Sequence, residues 1–246
     1  MASRGAAADV HDLDLQILGQ PDDSACGPTC LHAVYRYFGD ETELGELIAA
    51  IPSLDTGGTM AVQLANHALR RGYSALIYTY NLGLFDPSWF EGREPDLAER
   101  LVAQARAKRE PRLEWATLAY LEFLRLGGEL EMEDLSAGLL RRWLERDRPI
   151  LTGLSATFLY RCARETGTDE LQLDDVRGSP TGHFVVLSGW DAEERKVRVA
   201  DPLEDNPRFH AHVYWLPVER VINAILLGVL TYDANLLVLQ PPEERS

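Results

Sequence analysis

Two apolar, β-branched runs late in the chain, residues 183–190 and 196–200, lie either side of the polar turn Asp191-Ala192-Glu193-Glu194. Such a pairing predicts an antiparallel hairpin, and no purely helical fold accommodates it. Residues 149–154, 210–216 and 234–239 read as further strands, and 217–226 as a short helix between the last two. Earlier, helical periodicity dominates. From Gly27 the apolar positions Leu31, Val34, Tyr35 and Phe38 recur on one face until Gly39, and helices follow over 41–50 and 60–71. A short strand is expected over 12–18 and another over 73–80, with a loop at 55–59 capping the helix that begins at Met60. The middle carries helical patterns over 95–108, 113–126 and 136–146, the last with Ser136 as its cap. Helices first and an antiparallel sheet late describe an α+β layout. We expect a single domain over 1–246 with a helical insertion at about 85–148.

At 246 residues and 46% apolar content, the chain can bury a core without disulfides or metals. Acidic residues outnumber basic ones, 39 to 24, for a formal net charge of −15. Nucleic acid and anionic membranes both require a cationic face, so neither is expected as a partner. Three cysteines, at 26, 30 and 162, make a poor disulfide framework and point to a reducing compartment. The first residues hold one arginine, early acids and no apolar core, unlike a secretory signal. No run approaches the ~18 uninterrupted apolar residues of a membrane span. The expectation is a cytoplasmic protein.

Cys26 follows the turn cluster Gly19-Gln20-Pro21-Asp22-Asp23-Ser24 and opens a helix, where unpaired N–H groups and the macrodipole favour a thiolate. Gly27 would leave room for a substrate backbone, and Pro28 suits the first helical turn. Cys30, one turn on, is expected to be an inert core thiol. A nucleophilic thiol needs a base and the base needs an orienter. His183 begins the first strand of the hairpin, and Asp201-Pro202 ends the second, so the fold would bring imidazole and carboxylate together at one rim. Gln20 can donate its side-chain amide to a developing oxyanion, with the Cys26 N–H as the second donor.

The stretch Gln20-Pro21-Asp22-Asp23-Ser24-Ala25-Cys26-Gly27-Pro28-Thr29-Cys30-Leu31 resembles the nucleophile segment of C39-like peptidases, within the papain-like superfamily. Residues 181–191, TGHFVVLSGWD, resemble their histidine strand, and 197–202, VRVADP, their aspartate strand. The order glutamine, cysteine, histidine, aspartate is also the family's. The resemblance implies a papain-like fold, no cofactor, and amide hydrolysis or transfer through a thioester on a peptide or protein substrate. The best-known members are fused to a peptide exporter and cut after a double glycine. Here the exporter's membrane and ATPase parts are absent, the helical block is extra, and Ala25 stands where many exporter-type members carry an acid.

Two alternatives share these residues: an acyl transferase of transglutaminase-like or peptide-conjugating type, and a catalytically silent module that keeps the papain-like shell. His210 and His212 would share a strand face, a spacing able to bind zinc, but no third ligand is evident, and surface alternation explains them better. The tryptophans read as core, and the acidic loop 169–175 as a solvated segment beside His183. The oligomeric state is not legible in the sequence.

Overall fold

The structure, a computed structural model, describes residues 10–53, 58–92, 96–167, 172–232 and 234–242. Its strands are β1 (Val10–Asp12), β2 (Ser74–Thr79), β3 (Glu129–Glu131), β4 (Ile150–Ser155), β5 (Glu165–Thr166), β6 (Gln172–Leu173), β7 (Gly182–Asp191), β8 (Lys196–Ala200), β9 (Val213–Pro217) and β10 (Asn235–Gln240). Its helices are α1 (Cys26–Tyr37), α2 (Leu44–Ala50), α3 (Ala61–Arg70), α4 (Leu97–Lys108), α5 (Pro111–Arg125), α6 (Ala137–Leu144), α7 (Ala156–Tyr160) and α8 (Val218–Leu227). No helix among the described residues is long and apolar enough to cross a membrane.

The expected hairpin forms: β7 and β8 pair antiparallel, Val186 opposite Ala200 and Asp191 opposite Lys196, with a register shift between Leu187 and Gly189. The main sheet runs β3-β2-β10-β4-β7-β8-β9, and β1 adds to the far end of β7. Its pairings are antiparallel apart from the parallel β2–β3 contact at one edge. The sheet is covered on both faces. Cys30, Leu31, Leu64, Phe123, Phe184, Val186 and Leu237 belong to one core, and Leu140, Leu159, Val185, Leu187, Val221 and Val238 to another. Burial on both sides explains why the central strands read as continuous apolar runs rather than as alternating ones.

Several expectations are adjusted. Strand β1 spans Val10–Asp12 and not 12–18, because the same edge of β7 is already occupied by β4 from Gly182 to Leu187. Leu13 and Leu15 are still buried, one in each of the two cores. The second helix starts at Leu44 because Asp40 captures the amide and hydroxyl of Thr42, at 3.2 and 2.6 Å, and holds a turn there. The segment 85–148 is not wholly helical: β3 extends the sheet beside β2. Its helix α5 is tied to α3 where Asn66 Nδ2 donates to the Ala119 carbonyl at 3.0 Å. Ser136 caps α6, as expected, by accepting from the Leu139 amide at 3.2 Å. Residues 210–212 are not strand, since His210 takes a left-handed φ of 49° and the ladder begins at Val213. Helix α7, unanticipated, follows β4 directly, with Ser155 capping it through the Phe158 amide. Part of the expected capping loop at 55–59 and part of the acidic loop at 169–175 lie outside the described residues.

Candidate active site

Cys26 is the first residue of α1. The preceding turn is built by Asp22, whose carboxylate accepts from the amide and hydroxyl of Ser24 at 2.8 and 2.6 Å. No side chain caps α1, so its first amides, including those of Cys26 and Gly27, remain available at the helix N-terminus. Helix α1 lies against β7, and Cys30, one turn below, donates its thiol to the Phe184 carbonyl at 3.3 Å. Burial pushes the Cys30 thiol well up, which fits an inert core residue. Gly27 serves packing and not substrate access. A Cβ there would stand 3.3 Å from Leu64 Cδ1 and 3.4 Å from Phe184 Cδ2, so its lack of a side chain lets α1 settle onto the sheet.

Strand alternation puts His183 on the same face of β7 as Val185 and Leu187, at the rim next to the start of α1. The hairpin delivers Asp201 beside it, and His183 Nε2 meets Asp201 Oδ1 at 2.8 Å. That contact occupies Nε2 and leaves Nδ1 as the ring nitrogen free for the thiol. Burial is the strongest influence on His183 and favours the neutral ring. The charge and hydrogen bond of Asp201, and the adjacent Cys26, outweigh it and raise the imidazole pKa to about 10.

Asp201 is wholly buried and carries four donors. Oδ1 accepts from His183 and, at 2.9 Å, from the Leu203 amide; Oδ2 accepts from the Tyr160 hydroxyl at 2.9 Å and from the Tyr214 hydroxyl. Burial alone would push this carboxyl up. The His183 charge and these donors overcome it and hold the group below the usual carboxylate range. A carboxylate so saturated stays ionised and cannot rotate, which fixes the imidazole in one tautomer and orientation.

Gln20 reaches the same rim. Its amide N–H donates to the Pro202 carbonyl at 2.9 Å, tying the turn before Cys26 to the segment after Asp201. Its side-chain Nε2 donates to the Asp22 carbonyl at 2.9 Å, which uses one of two hydrogens, while Oε1 is buried without a partner. His212 braces this corner. Its Nδ1 lies 2.8 Å from the Asp201 carbonyl oxygen, and its ring packs against Gly19. Among the described residues no group of three or more His, Cys, Asp or Glu side chains is disposed to hold a metal ion.

The four residues singled out in the sequence therefore meet at one rim. Tyr160 and Tyr214 were not singled out. The available signal for Tyr214 was its inward position in a strand, where a phenol hydroxyl needs a buried partner. Tyr160 sits on a helix too short to show periodicity.

The architecture is α+β, and its fold is similar to that of a solved C39-like peptidase. A solved structure from Bacillus anthracis described as a C39-like peptidase overlays with a TM-score of 0.52 at 15% identity, covering 96% of this chain and 100% of that one. The double-glycine motif protease of an AMS/PCAT transporter, solved with its leader peptide, aligns at 13% identity and a TM-score of 0.43, over 94% of each chain. Xylellain, a cysteine protease from Xylella fastidiosa, aligns at 16% identity and a TM-score of 0.43, over 96% of this chain and 87% of its own. No family model and no curated protein sequence matches the chain.

Proposed function

We propose that the protein is a cysteine peptidase of the C39-like type, cleaving a peptide amide through Cys26, His183 and Asp201. The observation that carries this reading is the buried His183–Asp201 contact at 2.8 Å, set at the rim where the uncapped α1 presents Cys26. The Cys26 sulfur attacks the amide carbonyl carbon, and the thiol proton passes to His183. The negative charge on the carbonyl oxygen is met by the Cys26 N–H and the second Nε2 hydrogen of Gln20. Collapse of this intermediate expels the amine, which takes the proton from His183, and leaves a thioester on Cys26. Water then attacks the thioester with His183 as base, releasing the acid and restoring the thiol. Asp201 stabilises the imidazolium at both stages without itself taking the proton.

This chemistry asks for no cofactor, and the substrate class is a peptide. Of the alternatives weighed on the sequence, the silent module is disfavoured by a carboxylate held ionised by four donors, an arrangement an empty shell has no use for. Adding a competing amine to the assay and looking for amide product separates transfer from hydrolysis. Peptide-library turnover, read by mass spectrometry, tests the proposal. Wild type is expected to cleave, Cys26→Ala to show no turnover, and Gln20→Ala to lose about 10²–10³-fold in kcat. Full activity in Cys26→Ala would refute the mechanism.

A further inference from the structure

The chain's surface charge has a local reversal near the proposed site. Many of its basic side chains are paired: Arg71 with Asp40, Arg141 with Glu145, Arg142 with Glu133 and Arg195 with Glu219. Arg161, Arg208 and Arg220 have no acid partner among the described residues. Arg161 ends α7 in a left-handed conformation, φ 52°, immediately after Tyr160. Arg208 precedes Phe209, whose ring meets that of Tyr160 at 6.3 Å, and Arg220 projects from α8, which packs on α7. Burial lowers the Arg220 pKa, and the nearby positive charges of Arg161 and Arg208 lower it further. In a protein of net charge −15 such a cluster is out of keeping with its surroundings.

Beside it opens a pocket of about 250 Å³, walled by Phe158, Pro180, Leu227 and Leu230, with Arg161 and Arg164 on its margin. Leu227 and Leu230 are exposed there, at 38% and 65%. The pocket borders the proposed catalytic rim. Pro180 lies three residues before His183, and Ser155, also in the lining, pairs across the sheet with Gly182. At ~3.3–3.6 Å per residue, the Cα of Pro180 is within about 11 Å of that of His183, roughly three residues of extended peptide.

We propose that this pocket and the arginines beside it form a subsite that takes an apolar side chain of the peptide substrate together with a neighbouring aspartate or glutamate. The assignment deepens the peptidase reading and rests on it for the ligand being a peptide. Charge complementarity selects the acidic neighbour. Guanidinium groups without counterions gain charge-assisted hydrogen bonds from a carboxylate, whereas a lysine at that position adds to the repulsion. The pocket is too small for a drug-sized ligand and suits a side chain.

Binding can be read without turnover, using the Cys26→Ala chain and fluorescence anisotropy. The probes are N-terminally fluorescein-labelled, C-terminally amidated peptides, identical except for a Leu-Glu, Leu-Gln or Leu-Lys pair. At low salt the Leu-Glu peptide is expected to bind about fivefold to tenfold more tightly than the Leu-Lys peptide. Arg161→Glu with Arg220→Glu should reverse that order. Lys108→Glu with Arg125→Glu makes the same charge change on α4 and α5, which pack into the other core, and should preserve it. Equal or undetectable binding of all three peptides would overturn the subsite. So would a preference that survives the Arg161/Arg220 change or is lost equally in the control. A preference seen only with free C-terminal carboxylates would assign the arginines to a peptide terminus and overturn the side-chain proposal. An inert wild-type enzyme that keeps the preference would refute the peptidase reading alone; active enzyme without the preference would refute the subsite alone.

Discussion

Asp201 illustrates how much a single buried carboxylate depends on its donors. Two phenol hydroxyls, a backbone amide and an imidazole converge on it, and the residue is fully buried. Removing one phenol donor by Tyr160→Phe or Tyr214→Phe deletes a charge-assisted bond, a loss of about 1.5–3 kcal/mol in stability. The same deletion raises the Asp201 pKa, so the acid limb of the activity profile should move to higher pH in both variants. A variant that loses stability with an unshifted limb would leave the tyrosines structural only. The pair His183 and Asp201 was legible in the sequence because a hairpin dictates which strand ends are neighbours. The tyrosines were not, because their role depends on α7 and β9 meeting over the sheet, a long-range packing event that leaves no local pattern.

Among the elements, α1 determines how the nucleophile is carried. It rests on β7 beside Gly27, where an added Cβ would stand 3.3 Å from Leu64 Cδ1 and 3.4 Å from Phe184 Cδ2. Gly27→Ala would raise helix propensity but overpack this contact, for a net destabilisation of about 1–2 kcal/mol. The urea midpoint should fall accordingly, and an unchanged or higher midpoint would show that the α1–β7 seam has slack. Sequence periodicity found α1 and most other helices to within a few residues, since each has an apolar face to declare. It misjudged 12–18 and 210–212, where alternation is present but the ladder is not. In the first case β4 holds the neighbouring edge of β7; in the second a left-handed His210 turns the chain. Strand β3 was hidden inside a helical block because Glu129–Glu131 is too short to show a period.

For the whole molecule, the buried pair links stability to pH. The folded His183 pKa, raised to about 10 from an unfolded value of about 6.5, means its contribution is fully present below ~6.5 and fades as pH rises through about 10. The folded Asp201 pKa is lowered, so its contribution is fully present above ~3.9 and fades as pH falls toward the lowered folded value. The pair therefore stabilises most between about pH 4 and 6.5. Thermal midpoints across pH should show that plateau in wild type, and a flatter profile in Asp201→Asn. Identical profiles would mean the pair is not coupled to folding. The division of the sheet between two covered faces was only half legible: the N-terminal helices were expected on it, and the layer of α6, α7 and α8 on the other face was not.

The central claim is that Cys26 forms a covalent acyl intermediate under the control of His183. Acid-quenching the enzyme during turnover of a peptide thioester, followed by intact-mass and peptide mapping, tests it most directly. The expected result is an acyl group on Cys26, absent from Cys30 and Cys162, and not formed in His183→Ala. Acylation at another residue, or equal acylation of Cys26 without His183, would contradict it.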